Sequence, residues 1–310
     1  MLQHAIKERD ASVALPLRRA HNRIKQGLIL RFASGAGRLL DLCCGRGGDI
    51  NKWRVAKVHH VKGVDISEAE VREAQRRFKE QSEEPKEHQP QCVFEQSASL
   101  GETDLIEEQP YDVVTCMFAM HYFFINEAAL DQFLRNVAIN LKNGGFFINT
   151  IPDGKRVLFN LKDKAAYDSP CLKLEKRWHG PVTSFGCEYV FSIKSTVTEG
   201  DDESDGSLEY LVFTSALTAV AARHGLYPVA EYNDPHFEDL FEPGDCDVPF
   251  KHFKPDFPNS HFSLAQASGI FMAVVFQKLD VRPEGGIAPK MPPSVSNGNP
   301  RGGKRFREGN

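Results

Sequence analysis

LLDLCCGRGGDINKW, Leu39 to Trp53, reads as a buried strand that runs into a glycine-rich turn and then a helix. Leu39, Leu40 and Leu42 supply the apolar strand. Gly45, Gly47 and Gly48 allow a tight turn and a close approach of backbone to a ligand. Asp49 stands where it can cap the following helix. A second strand, HHVKGVDIS, ends in Asp65, 24 residues after Asp41. A glycine turn after one strand and an acid at the end of the next is how a doubly wound α/β fold holds a nucleoside. The turn lacks the G-x-G-x-x-G spacing of dinucleotide binders.

Outward from this stretch, strand and helix alternate. Leu17, Ala20, Ile24, Leu28 and Phe32 share one face of a helix before strand one. Ser67 caps a charged helix that runs to about Gln81 and ends in the loop QSEEPKEHQP. CVFEQ is a third strand. Tyr111 to Phe118, YDVVTCMF, is a fourth, apolar enough to be covered on both faces. Asn126 to Lys142 is helical, with its C-cap expected at Asn143-Gly144-Gly145, and GGFFINTIP is a fifth strand. This order argues for a parallel sheet from Arg38 to Pro152. Beyond it, CEYVFSIK and SLEYLVF read as a hairpin around the acidic tip EGDDESDG. A helix from Thr214 to His224, the strand YPVAEY and a last strand, Gly269 to Lys278, are expected to resume the main sheet. The aromatic, Pro-rich stretch from Pro235 to Phe262 has no clear periodicity.

The net charge of −4 gives no global basic field for nucleic acid. Val281 to Asn310 carries six Lys or Arg against two Glu, with five Pro and six Gly, and is expected to be a disordered basic tail. The seven cysteines form no C-x-x-C pair, so neither a zinc site nor a disulfide framework is indicated. No apolar run approaches the roughly 18 residues of a membrane span, and MLQHAIKERD lacks a signal-peptide core.

The D-L-x-x-G-x-G-G-D form of Asp41 to Asp49 resembles motif I of class I S-adenosylmethionine-dependent methyltransferases. More specifically, five blocks together resemble the mRNA cap guanine-N7 methyltransferases. HNRIKQGLIL is similar to that family's N-N-x-x-K-x-x-L-I helix, with Asn22 and Lys25 at the polar positions. LDLCCGRGGDINKW is similar to L-D-L-G-C-G-K-G-G-D-L-x-K-W. MFAMHYFF is similar to Q-F-x-x-H-Y-x-F, and NVAINLKNGGFFINTIPD to R-N-x-x-x-x-L-x-P-G-G-Y-F-I-x-T-x-P. LEYLVF and GIFMAVVFQK match weaker blocks.

The resemblance implies a doubly wound, mostly parallel, seven-stranded Rossmann-like α/β sheet with an inserted β-rich subdomain on the cap side. The catalytic domain would span 1–280, with insertions at about 155–213 and 235–265. It implies S-adenosyl-L-methionine as cofactor, held by Lys25, Asp41, Cys43, Gly45, Asp65, Ser97, Met117 and Tyr122. Asp65 would accept from the ribose hydroxyls, Lys25 would reach the cofactor carboxylate, and Asp41 would organise the turn through backbone bonds. The cap would meet Asn22, Arg46, Lys52, Arg77, Phe118, His121, Tyr122, Glu209 and Phe271. Arg46, Lys52 and Arg77 face the triphosphate in this reading, and Phe118, Tyr122 and Phe271 wall the guanine. No metal and no general base is expected, because guanine N7 offers an unprotonated lone pair; alignment for in-line displacement and electrostatics carry the chemistry, with Glu209 stabilising developing positive charge.

Departures from the family pattern stand at Cys43, Ser97, Met117 and Phe271, with Asn143 in place of a proline. If position 43 needs a left-handed backbone, Cys costs roughly 1 kcal/mol or more there. Two rivals stay open: a methyltransferase of another RNA position or a small molecule, which would share motif I, and a catalytically weak cap-binding protein, suggested by Cys43, Ser97 and Met117. The expected partner is a capped RNA 5′ end, with the RNA guanylyltransferase/triphosphatase or RNA polymerase as further candidates. A monomer is expected, in the nucleus, with the cytoplasm as the alternative and no membrane association. With 24 residues before Lys25, no long N-terminal recruitment domain is expected, so association with a capping enzyme would use the catalytic body.

Overall fold

A computed structural model of the chain describes residues 14–83, 87–193, 206–230, 237, 239–243, 249–254, 257 and 262–288. Helix α1 (Leu15–Ala33) starts on a proline in its first turn, where the missing N–H costs nothing. It buries Leu17, Ile24, Leu28 and Phe32, the face its periodicity marks. There follow β1 (Arg38–Leu42), α2 (Ile50–Val55), β2 (His60–Asp65), α3 (Glu68–Ser82), β3 (Gln91–Gln96) and β4 (Tyr111–Met117). Ser67 caps α3 as expected, its hydroxyl accepting from the Glu70 N–H at 3.3 Å. A 3-10 turn (Met120–Ile125) leads to α4 (Glu127–Asn140), capped by Asn126, and to β5 (Leu141–Pro152).

The α4 boundary corrects the sequence reading. The helix stops at Asn140, and Leu141 already pairs with Tyr111 of β4. Gly144, at φ +77°, lies inside the strand, where the β4–β5 register slips between Tyr111 and Val113. The glycine pair therefore serves a strand irregularity, not a helix cap.

The main sheet runs in the order β10-β12-β5-β4-β1-β2-β3, where β10 is Leu226–Pro228 and β12 is Phe271–Lys278. β1 to β5 are mutually parallel, whereas β12 is antiparallel to both β5 and β10. A short strand, β11 (Phe250–His252), also pairs along β12. Chain order reverses between β1 and β4, so their C-terminal ends form the crevice in which open α/β sheets hold ligands. Apolar cores cover both faces of the sheet. One includes Leu28, Trp53 and Val71, the other Phe133, Val137 and Leu217.

A second, antiparallel sheet is built from β6 (Ala166–Asp168), β7 (Leu172–Lys176), β8 (Glu188–Ile193) and β9 (Ser207–Tyr210). The expected β8–β9 hairpin is present, and its acidic tip lies outside the described residues. Helix α5 (Gly154–Leu161) leads into this sheet, and α6 (Thr214–Arg223) returns from it. Within the unassigned Pro-rich region, β11 and the start of α7 (Phe262–Gly269) are described.

The body does not stop at residue 280. Ala288 is buried, donates its N–H to the Pro228 carbonyl at 2.9 Å and bridges to Val229. The rest of the expected tail, 289–310, lies outside the described residues.

Candidate active site

At the β1 end of the crevice, Cys43 has φ +62° and Gly45 and Gly47 have φ +50° and +68°. At the β4 end, Phe118 also has φ +62°. Left-handed backbone at two non-glycine residues is strain of the kind that collects at functional sites. The condition set on Cys43 by its sequence position is thus met. Cys43→Gly is expected to stabilise the protein by about 1 kcal/mol, read as a higher midpoint in chemical denaturation. No gain would mean that the thiol's packing offsets the backbone strain.

Asp65, at the end of β2, is 8% exposed. Its Oδ2 accepts from the Gly45 N–H at 2.8 Å and its Oδ1 from the Ser67 N–H at 2.9 Å. One carboxylate therefore ties the glycine turn to the start of α3. The turn-holding role expected of Asp41 belongs to Asp65. Asp41 instead accepts from the Thr115 hydroxyl of β4 at 2.5 Å. Burial, with the neighbouring Asp49 charge, pushes the Asp41 carboxyl up to about 8. Ser97, half-buried just past β3, donates its N–H to the Asp65 carbonyl at 2.9 Å.

Asp49 does not cap α2 with its side chain. It receives two ammonium groups, Lys25 Nζ at 2.8 Å and Lys52 Nζ at 2.7 Å. Burial opposes its ionisation, but the two cations outweigh burial and hold the carboxyl below its usual range. Lys52 is buried and donates also to the Gly48 carbonyl at 3.1 Å. It is thus directed inward, away from the surface position expected of a triphosphate contact. Arg46 pairs with Glu70 at 2.9 Å and Arg77 with Glu73 at 2.7 Å, both carboxylates on α3. The structure gathers Lys25 and Lys52 on Asp49, pairs Arg46 with Glu70, and sets Arg77 on Glu73, which Arg76 shares.

Phe118 stacks on His21 at 5.2 Å and meets Phe271 edge-on at 5.1 Å. Phe253 completes the cluster, and Lys25 Nζ lies 5.8 Å from the Phe118 ring centre. Phe271 is buried and its ring packs on Phe253 and Phe191. His21 and Phe253 were not singled out in the sequence. His21 lies one helical turn before Lys25, which is the only sequence signal that it shares Lys25's face. Burial lowers its pKa to about 3, and its Nε2 lies 3.1 Å from the Ser268 hydroxyl. Asn22, next to it, is exposed. Met117 is half-buried, with the Thr150 hydroxyl 3.8 Å from its sulfur.

The most distinctive group lies where the 3-10 turn meets β9. His121 is 2% exposed, and neither ring nitrogen has a hydrogen-bond partner among the described residues. Burial lowers its pKa to about 3, so the imidazole is neutral and carries one N–H. Its Nε2 lies 3.6 Å from Oε1 of Glu209, beyond hydrogen-bond reach. Glu209 is itself 2% exposed, not a solvent-facing strand residue. Its carboxyl accepts from the hydroxyls of Ser207 at 3.0 Å and Tyr189 at 3.1 Å, and burial pushes its pKa up to about 8. Tyr122, half-exposed, packs its ring 4.3 Å from His121. A buried unpaired imidazole beside a buried carboxyl offers a donor and acceptors to a flat polar ring. Tyr189 and Ser207 are further members that the sequence reading did not name.

Comparison with known proteins agrees with this architecture. A solved structure, the CcbJ methyltransferase from Streptomyces caelestis, superposes with a TM-score of 0.50 at 15% identity, covering 84% of this chain and 89% of that one; the likeness is one of fold. The mRNA cap guanine-N(7) methyltransferase of Caenorhabditis briggsae is 30% identical over 240 residues, which is 72% of this chain. The protein of that name from Schizosaccharomyces pombe is 32% identical over 241 residues, 71% of this chain. The matched regions span 61% and 62% of those two relatives. With the model of the mRNA (guanine-N(7))-methyltransferase domain matching residues 1–252, most of the length including the glycine turn and the His121–Glu209 pair, the chain belongs to that family.

Proposed function

We propose that this chain transfers a methyl group to N7 of the terminal guanosine of a 5′-5′ triphosphate RNA cap, GpppN to m7GpppN. The observation that carries the reading is the buried pair of His121, unpartnered at both nitrogens among the described residues, and Glu209, where the 3-10 turn after β4 meets β9 of the second sheet. Guanine's edge carries O6, N1–H and an amino group. A neutral imidazole N–H complements the first, and a carboxylate the other two. Tyr122 offers an exposed ring face beside them. Phe118 and Phe271 support the site through the His21–Phe253 cluster.

S-adenosyl-L-methionine is the methyl donor of this fold and family. The residues present fit it: a Cβ at Gly45 would meet nothing nearer than Glu70 at 3.9 Å, so the turn leaves open the space a ligand needs. When bound, its sulfonium supplies an electrophilic methyl group. Asp65 and Gly45, with Lys25, Asp41, Cys43, Ser97, Met117 and Tyr122 around them, are the residues we assign to hold it. No side chain has to move a proton at N7. Their work is to hold the ring in plane and to oppose, through Glu209, the positive charge that grows on it.

Arg46 is the one exposed cation of the three assigned to the triphosphate, and Arg77 is partly exposed. Both would have to exchange a carboxylate for phosphate. Capped RNA is the partner in this reading. Nuclear residence and contact with the guanylyltransferase/triphosphatase or RNA polymerase are proposed on family membership alone.

Incubation with labelled S-adenosylmethionine and GpppN-ended RNA, followed by digestion to nucleosides, tests the proposal. Labelled 7-methylguanosine is expected. Label on another nucleoside would replace the assignment with a different methylation position. Cap binding without transfer would favour the cap-binding reading that strain at Cys43 keeps open.

A further inference from the structure

Glu209 must present a negative edge from a buried position, yet no Lys or Arg among the described residues pairs with it. Tyr189 and Glu209 are direct register partners on β8 and β9, so their side chains share one face. Tyr189 is fully buried, and its hydroxyl donates to Oε2 of Glu209 at 3.1 Å. Ser207, two residues along the same strand face, lies with its Oγ 3.0 Å from Oε1 and 3.2 Å from the Phe191 carbonyl. Among the described residues, the other groups that face this carboxyl are His121 and Tyr122 of the 3-10 turn; the Tyr122 hydroxyl also meets Ser207.

We propose that Tyr189 and Ser207 are the positioning residues that hold Glu209 as an oriented carboxylate, and that they thereby set the preference for guanine over adenine at the cap. The inference rests on the cap reading above. One hydroxyl on each carboxylate oxygen leaves each oxygen free to accept one further bond. Two acceptors side by side match the N1–H and amino donors of guanine. In the same pose adenine presents an acceptor at N1 and only C2–H beside it, its amino group lying where guanine has O6, so one contact would become a repulsion and the other would be lost. A tyrosine that merely filled the core would serve equally well as phenylalanine, because the ring keeps its edge contact with Phe191. The hydroxyl is what the proposal makes necessary.

Burial already pushes Glu209 up to about 8. Removing a donor to the carboxylate favours the protonated form further. In Tyr189→Phe the Glu209 titration, followed by 13C NMR in the free protein and assigned by its loss in Glu209→Gln, is expected to move up by about one unit. At pH 7, kcat/KM for GpppG should fall about tenfold and recover as the pH is raised. The preference for GpppG over ApppA should narrow, with S-adenosylhomocysteine affinity unchanged. Ser207→Ala should show the same pattern, and it spares the core if the tyrosine variant folds poorly. An unmoved titration together with an unmoved pH profile in either folded variant would overturn the proposal. If the wild-type protein transfers no methyl group to GpppG, the cap reading itself fails, and the titration still decides whether these hydroxyls govern Glu209.

Discussion

Asp65→Ala is expected to lower S-adenosylhomocysteine affinity by at least about 100-fold, some 2.7 kcal/mol. Two effects act together. The carboxylate is the acid placed to take the ribose hydroxyls, as in other folds of this topology. It also holds the glycine turn, through Gly45 at 2.8 Å, and the entry to α3, through Ser67 at 2.9 Å. Hydrogen bonds to a charged group contribute roughly 1.5–3 kcal/mol each. The alanine variant therefore loses its ligand acceptor and loosens the turn that shapes the site, and its thermal midpoint should fall as well. Asp65→Asn keeps an acceptor for one backbone N–H and should lie between the two. Isothermal calorimetry is the measurement. Wild-type affinity in the alanine variant would mean that the cofactor is held elsewhere, and the assignment of the cofactor site to the C-terminal ends of β1 and β2 would go with it.

What was legible in the sequence follows from the range of the forces involved. β1, β2, β4 and the turn after β1 are written in local patterns, apolar runs punctuated by glycine, and their periods survive in any context. The six-residue helix α2 is too short for a period to show which way Lys52 points. Asp49, already shared with Lys25 from a distant helix, draws it inward. Only the meeting of α1 with the β1 turn reveals that arrangement. Gly144-Gly145 reads equally well as a helix cap or a strand bend, and pairing of Leu141 with Tyr111 decides between them. β6, α5 and α7 are short and mixed in character, so tertiary packing sets them. His121 and Glu209 were named from motif blocks that lie far apart in the chain. That the two side chains meet, both buried, could not be read from either block. Nor could the support from Tyr189, which depends on the β8–β9 register.

Glu209→Gln is expected to separate catalysis from stability in opposite directions. The glutamine keeps the size of the side chain but cannot carry the charge. With GpppG as acceptor, kcat/KM should fall about 10- to 100-fold at pH 8.5, because a charge-assisted contact worth roughly 1.5–3 kcal/mol is lost. S-adenosylhomocysteine affinity should stay near the wild-type value. The pH dependence carries a definite sign. Burial raises the Glu209 carboxyl from the usual 4.5 to about 8, so the folded state holds a proton that the unfolded chain has released between those values. Its contribution to stability is fully present below pH 4.5 and is lost as the pH rises through 8. The glutamine variant has no such loss, and above pH 8 it should melt at a higher temperature than the wild-type protein. Wild-type activity should instead climb with pH toward 8 as the carboxylate forms, whereas the variant's low activity should stay flat across that range. The two profiles cross only if the same buried carboxyl both destabilises the fold and serves the cap. A variant with wild-type turnover and an unchanged melting profile would return Glu209 to an ordinary strand position and leave His121 without a purpose in the site.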